Sequence, residues 1–272
     1  MSRNDEAGKS TARQRMLRRR RRSILLAVLI LATGFITGKL IIDSTDTSMA
    51  ARDTVSQSSP LPKATSSTQV RTPSERQEPQ ASLPPVVDKG KGEWDYAKPD
   101  DDAGTIGHDG TLLKFKVAAE KGIHADVDKF SEAVAETLSD KRGWTASDDW
   151  RFQHTDDDWA DFTIYLASPQ TRKTMCGGDT YTSCRSGNNV VINMERWIEG
   201  VPHWKGPLAS YRQYVVNHEV GHRLGEQHVV CPKKGELSPV MAQQTLEMRG
   251  CKENAWPYVD DEYVTGPSGE YN

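Results

Sequence analysis

The sequence predicts a small α+β domain that follows a transmembrane helix and a disordered linker. An uncharged apolar stretch lies near the N-terminus, a segment rich in Ser, Thr and Pro follows it, and the remaining chain mixes strand patterns with two helical patterns. Strands and helices that mix without a regular strand–helix repeat are typical of an α+β domain. With 272 residues, of which 36% are hydrophobic, the chain is long enough for one such domain.

The N-terminal segment predicts a single-pass membrane anchor. Residues 1–22 form a basic tail with nine Lys and Arg residues, and the 23–42 stretch is apolar apart from Lys39. About 20 predominantly apolar residues suffice to cross a bilayer, and a lysine near the far end can extend its amine to the interface. The positive-inside rule keeps the basic tail in the cytoplasm and places the C-terminal domain outside the cell membrane. A cleaved signal peptide is the alternative, and cleavage near Ala50 would release the domain.

The 43–105 segment is interpreted as a disordered linker. It holds half of the chain's 14 prolines, is rich in Ser, Thr and charged residues, and shows no apolar period. Such a composition cannot bury enough apolar surface to offset the entropy of ordering it. As a flexible coil it spans about 40 Å, so it would carry the 106–272 domain away from the membrane surface.

The charge distribution does not favour a nucleic-acid-binding protein. The formal net charge is −3, and because residues 1–22 are strongly basic, the rest of the chain is clearly acidic. A nucleic-acid-binding protein would carry its basic surface on the folded domain. We therefore expect no nucleic-acid partner.

The domain predicted for 106–272 begins with a strand and a helix. Apolar residues at helical spacing predict a helix over 126–138. Strand patterns occupy residues 111–117, 150–154, 161–166 and 189–194. A long helix is predicted to begin near Ser210, because Ser210 and Gln213 have the spacing of a capping box.

The long helix carries an eleven-residue motif that predicts a metal site. His218 and His222 are four residues apart, so their imidazoles lie on one face of the helix, one turn apart. Gly225 is predicted to end the helix in a left-handed conformation, which lets the chain return with His228 as a third ligand. Three imidazoles suit a zinc ion that keeps its fourth position for water. Glu219 lies beside the first histidine, where it can reach that water as a base without being a ligand.

This motif resembles that of the metzincin zinc metallopeptidases. Residues 218–228 read HEVGHRLGEQH and match HExxHxxGxxH at every fixed position. The resemblance implies a metzincin-like zincin domain with a mixed sheet, a long active-site helix and an irregular C-terminal part. In that part Met241 is the candidate for the Met-turn beneath the metal. The resemblance departs from several metzincin groups in one respect, because no tyrosine follows Met241 closely.

Two shorter strings add a second resemblance. Residues 228–232 read HVVCP and residues 239–244 read PVMAQQ. Together they resemble an uncharacterised actinobacterial family of predicted membrane-anchored zinc peptidases. This resemblance covers about residues 106–265 and is strongest over 210–251.

The resulting prediction is a membrane-anchored extracytoplasmic zinc metalloendopeptidase with one Zn²⁺ ion and with Glu219 as its general base. Its expected partners are a peptide or protein substrate and the membrane, while the oligomeric state stays open. The resemblance also implies an edge strand that pairs with extended substrate, and 189–194 is predicted to be that strand. The alternative is a non-catalytic zinc-binding or cell-wall-associated interaction module on a membrane anchor.

The four cysteines are Cys176, Cys184, Cys231 and Cys251. An even number confined to one region predicts two disulfides in an oxidising compartment, whereas four reduced thiols would suit a cytosolic protein. Three pairings are possible, and the sequence does not choose among them. A bridge from Cys231 to Cys251 would hold the Met241 loop, and one from Cys176 to Cys184 would join a hairpin.

Overall fold

The computed structural model describes residues 85–100 and 104–271. These belong to one compact unit, Ser82–Asn272. The basic tail, the predicted transmembrane segment 23–42 and most of the linker lie outside the described residues. Within the described ranges, no helix is both long and apolar enough to cross a bilayer.

A mixed β-sheet of six strands forms the centre of the domain. The strands are β1 (Trp94–Tyr96), β2 (Thr111–Glu120), β3 (Trp150–His154), β4 (Phe162–Ala167), β5 (Cys184–Ser186) and β6 (Asn189–Asn193). Their order is β1-β2-β4-β6-β5, and β3 pairs with the N-terminal half of β2. Strands β2, β3, β4 and β6 are parallel, whereas β1 and β5 run antiparallel to their neighbours. The predicted α+β class is confirmed.

In the described part of the chain, four α-helices accompany the sheet. They are α1 (Val127–Ser139), α2 (Pro169–Cys176), α3 (Met194–Glu199) and α4 (Leu208–Leu224). A 3-10 helix, Trp144–Ser147, follows α1, and a short hairpin of β7 (Tyr258–Val259) and β8 (Glu262–Tyr263) lies in the C-terminal part. Helices α1 and α4 pack against the sheet and against each other, so the sheet is the platform that positions α4.

The hydrophobic core between the sheet and its helices follows from the sequence patterns. Alternate residues of β2 and β4, such as Phe115 and Ile164, are fully buried, as are Val134 on α1 and Val216 on α4. Each large apolar side chain buried in this way contributes about 1.5–3 kcal/mol. The Asp126 carboxylate accepts hydrogen bonds from the first backbone amides of α1, which explains why this helix begins where the pattern predicts.

Three local predictions differ from the structure. The folded part begins before residue 106, because β1 pairs with the end of β2 and Trp94 packs against the ring of Tyr165 with 4.5 Å between centroids. The three residues of β1 are too few to show a strand period in the sequence.

Helix α4 begins at Leu208 rather than near Ser210. The Ser210 hydroxyl donates to the Pro207 carbonyl and accepts from an indole, so no capping box forms.

Candidate metal centre

Helix α4 is held in register by buried hydrogen bonds from three directions. The Asn217 amide donates to the Ala255 carbonyl at 2.9 Å, and the Asn217 carbonyl accepts from the Trp144 indole at 2.9 Å. One turn earlier, the Tyr214 hydroxyl donates to the Ala242 carbonyl at 3.0 Å. Because these bonds are buried, breaking any one would leave an unpaired polar group. They fix α4 relative to the loop that carries Met241.

The structure brings the three predicted histidines together. The side chains of His218, His222 and His228 each offer a ligand nitrogen, and these nitrogens lie within 4.8 Å of one another. Gly225 ends α4 in the left-handed region at φ 95° and ψ 11°, which a side chain would strain. The reversal of the chain at Gly225 places the His228 ring 4.6 Å from that of His222, measured between centroids.

The hydrogen bonds of these rings fit metal ligands. The Nδ1 atoms of His218 and His222 lie 2.8 Å and 3.0 Å from the carbonyl oxygens of Val240 and Glu226. A carbonyl only accepts, so both rings carry their proton on Nδ1 and direct the Nε2 lone pair to the centre of the group. Metal-ligating histidines are oriented by such partners.

The third ring completes the donor set. His228 Nδ1 lies 3.5 Å from a carboxylate oxygen of Glu270, and His228 Nε2 lies 3.0 Å from His222 Nε2. Burial lowers the pKa of His222 to about 4 and holds that of His218 well below its usual value, so both rings are neutral at pH 7. Lone-pair nitrogens this close to one another suit a shared cation, and the three histidines could hold a metal ion.

Glu219 lies beside these ligands and is buried, with 5% of its surface exposed. Burial raises the pKa of its carboxyl to about 8, and the positive charges of Arg172 and Arg185 oppose this effect. A cation held by the histidines would also oppose the effect of burial: it would lower this pKa and favour the ionised carboxylate. Glu219, the predicted base, lines the same cavity as the three predicted ligands.

A cavity of about 350 Å³ opens onto this group. Its lining includes residues 182–185, which reach the start of β5, and Gln243, Thr245 and Leu246 of the Met241 loop. His218, Glu219, His222 and His228 line the same cavity. The candidate metal site and the carboxyl group of Glu219 therefore face one shared space.

The Met241 loop is braced against α4. Met241 is buried, and a Cβ added at Gly221 would collide with its sulfur and with the Trp144 ring. The Gln244 side chain donates to the Asn254 carbonyl and accepts from the Asn254 backbone amide. The Asn254 side chain in turn donates to the Ser238 carbonyl, so these two residues hold the loop in place. This places Met241 against α4 at Gly221, the residue before His222.

Each disulfide stabilises a segment that contributes residues to the cavity lining. Cys231–Cys251 closes the segment that contains the Met241 loop, with 5.8 Å between Cα atoms. Cys176–Cys184 joins the end of α2 to the cavity wall. The hairpin expected for the latter pair is wrong, because residues 169–176 form a helix that begins with Pro169. None of the four cysteines is free.

The predicted substrate-binding strand is not an edge. Residues Asn189–Asn193 form β6, which pairs with β4 on one side and with β5 on the other. Within the described part of the chain, the sheet ends at β5 instead. The sequence analysis missed β5 because its three residues, Cys184–Ser186, carry no apolar alternation.

Other residues of the site also had no signal in the sequence. Val240 acts through its backbone carbonyl, and Arg172 and Arg185 reach the cavity from α2 and β5. Glu270 contacts His228 although it lies more than forty residues later in the chain. Each of these contacts depends on tertiary packing rather than on a local motif.

Comparison with known proteins places the whole arrangement in one family. A family described as "Protein of unknown function (DUF3152)" matches residues 82–266. The chain belongs to this family. The DUF3152 match begins twelve residues before β1 and includes α4 and the three histidines. No curated protein and no solved structure matches the chain significantly.

Proposed function

We propose that the DUF3152 domain of this chain is a zinc-dependent endopeptidase with a metzincin-like fold and mechanism. The observation that carries the proposal is the convergence of three Nε2 atoms, each with its Nδ1 atom next to an oxygen, beside the buried carboxyl of Glu219. A structural zinc usually takes four protein ligands, whereas this group offers three and leaves room for water. An all-imidazole set suits zinc among the common divalent metals.

The roles of the residues follow from their positions. His218, His222 and His228 would hold the ion, and their oxygen partners would fix the ring orientations. A zinc ion in this place supplies a Lewis acid, which polarises a carbonyl and lowers the pKa of water towards 7. Glu219 would accept the proton of the attacking water and return it to the leaving nitrogen.

Strand β5 offers a place for the peptide. It borders the cavity, and within the described residues its outer edge has no strand partner. An extended peptide could pair with this edge and lie across the histidines. The two disulfides agree with the proposed extracytoplasmic location, since disulfides persist in oxidising compartments. Anchoring through residues 23–42 remains part of the proposal.

The test combines metal analysis with one isosteric variant. We expect the purified chain to hold one zinc per molecule and to cleave peptides, with both properties lost after chelation. Glu219→Gln should keep the zinc and lose at least about 100-fold in kcat/KM, because proton transfer by a positioned group contributes that much or more. The control is Glu132→Gln, an exposed glutamate on α1, which should retain full activity.

The same measurements separate the alternative function. A wild-type protein that binds zinc and cleaves no peptide of a broad library would support a non-catalytic zinc-binding module. Undiminished cleavage by Glu219→Gln would remove this residue from the mechanism. His228→Ala checks the ligand set, because the loss of one of three ligands should reduce the bound zinc well below one per molecule.

A further inference from the structure

Two guanidinium groups dominate the charge of the cavity walls. Among the described residues that line the cavity, Arg172 and Arg185 are the two basic side chains apart from the histidines, and Glu219 is the one acidic side chain. Both arginines act on the Glu219 carboxyl, where their charges oppose the effect of burial. The lining is therefore net positive before any metal is bound, although the protein has a formal net charge of −3.

Arg172 is a buried cation with mostly neutral partners. It extends from α2, is 5% exposed, and donates to the carbonyls of Gly177, Asp179 and Ser183 and to the Thr182 hydroxyl. Its Nε is buried without a hydrogen-bond partner in the described part of the chain. The Asp179 carboxylate lies 3.8 Å away and is half exposed, so it neutralises this charge only in part.

Arg185 lies on the wall that the substrate is proposed to pair with. It is in β5, is exposed, and donates through Nε and Nη2 to the His222 carbonyl at 3.3 Å and 2.9 Å. A guanidinium has five donors in a planar fork, and these bonds occupy two of them. The contact to the end of α4 therefore holds the group beside the metal ligands while leaving donors for a carboxylate.

We infer that this cavity selects a substrate with an anionic group next to the cleaved bond, that Arg185 binds that group through its free donors, and that the buried charge of Arg172 adds to the attraction. The inference rests on the proposed function and names the substrate class of the same site. The anionic group is either an acidic side chain, as suits the proposed endopeptidase, or the free C-terminal carboxylate of a peptide, in which case the same site would instead remove C-terminal residues. Arginine forks bind carboxylates in a bidentate manner, and a lysine side chain in the same place would meet like charges.

The experiment uses the full-length, zinc-loaded chain and acetylated, amidated hexapeptides of alanine. One residue next to the cleaved bond is Glu, Gln or Lys, and a further arm carries a free C-terminal carboxylate instead of the amide. We expect kcat/KM to be at least about 10-fold higher for Glu than for its neutral isostere Gln, which corresponds to about 1.4 kcal/mol of differential binding, and lowest for Lys. The free-carboxylate arm shows which of the two anionic groups the site takes.

Variants assign the preference to the arginines. Arg185→Gln should bring kcat/KM for the Glu and Gln peptides within about 2-fold of each other while the variant still holds one zinc per molecule, a result that misfolding would not produce. Arg172→Lys keeps the positive charge of this buried site and should therefore retain the preference. Lys173→Gln, which removes one exposed charge from the same helix as Arg172, should leave the preference unchanged.

A binding measurement separates this inference from the proposed function. Fluorescence anisotropy with labelled Glu and Gln peptides on the Glu219→Gln variant reports recognition without turnover, and the Glu preference should weaken in high salt because charges are screened. Equal cleavage and equal binding of the two peptides would overturn the inference and leave the peptidase proposal standing. Failure to cleave any peptide, with Glu bound more tightly than Gln, would overturn only the peptidase proposal.

Discussion

Gly221→Ala tests the contact between α4 and the Met241 loop. In an exposed helix this change would stabilise the protein by about 1 kcal/mol, because glycine is the weaker helix former. At Gly221 the new Cβ would overlap the Met241 sulfur and lie 2.6 Å from a Trp144 ring carbon. The indole is held by its hydrogen bond to the Asn217 carbonyl, so it cannot move away without breaking a buried bond. Overpacking costs about 1–3 kcal/mol. Because two groups collide, we expect an overpacking cost of about 3 kcal/mol, at the upper end of this range. Subtracting the gain of about 1 kcal/mol in helix propensity leaves a net loss of about 2 kcal/mol in the free energy of unfolding.

The assay for this contact is a double-mutant cycle. Met241→Ala alone should cost about 2–5 kcal/mol as a buried large-to-small change. In that background Gly221→Ala loses one of its two collisions, so it should cost at least about 1 kcal/mol less than in the wild type. Urea denaturation followed by tryptophan fluorescence, with a chelator present, measures each free energy of unfolding without a contribution from metal binding. A gain of stability in Gly221→Ala, or the same cost in both backgrounds, would refute the packing argument.

Two further predictions concern the bridge and an internal histidine. A Cys231→Ser/Cys251→Ser variant should lose about 3 kcal/mol, because the loop entropy of a 20-residue separation has that magnitude; unchanged stability in non-reducing urea denaturation would contradict this. Desolvation lowers the pKa of His154 below its usual 6.5, against the smaller effect of Asp156. The unfolded chain therefore binds more protons as the pH falls below about 6.5, so this histidine lowers stability in acid. His154→Phe, which retains the stacking on Phe115, should lose less stability than the wild type between pH 7 and pH 5 in urea denaturation with a chelator, and equal losses would contradict the assignment.

The parts of the fold that were predictable are those with a long periodic pattern. The apolar alternation within residues 111–117 of β2 and the helical spacing over the thirteen residues of α1 are long enough for the period to be recognised. The 3.6-residue period also implies that His218 and His222 share a face of α4. Strand β1 and helix α2 were missed, because three residues show no period and the eight residues of α2 carry few apolar side chains.

The edge of the sheet is a tertiary property for a similar reason. Asn189–Asn193 shows a strand pattern, and such a pattern is the same for an edge strand and a central one. Whether a second strand pairs with its other side depends on how the rest of the chain folds. Here Cys184–Ser186 folds back antiparallel on β6 and becomes the edge beside the cavity. The position of Arg185 at the cavity follows from this pairing alone.

The local chain determined the three candidate ligands, the carboxyl beside them and the glycine at which α4 ends, because helix geometry and the freedom of glycine act over only a few residues. Tertiary structure alone decided which cysteines pair, how Val240 and Glu270 meet the imidazoles, and which charges face the cavity. Those contacts join residues far apart in the chain, and their geometry is set by the packing of α4 between the sheet and the Met241 loop.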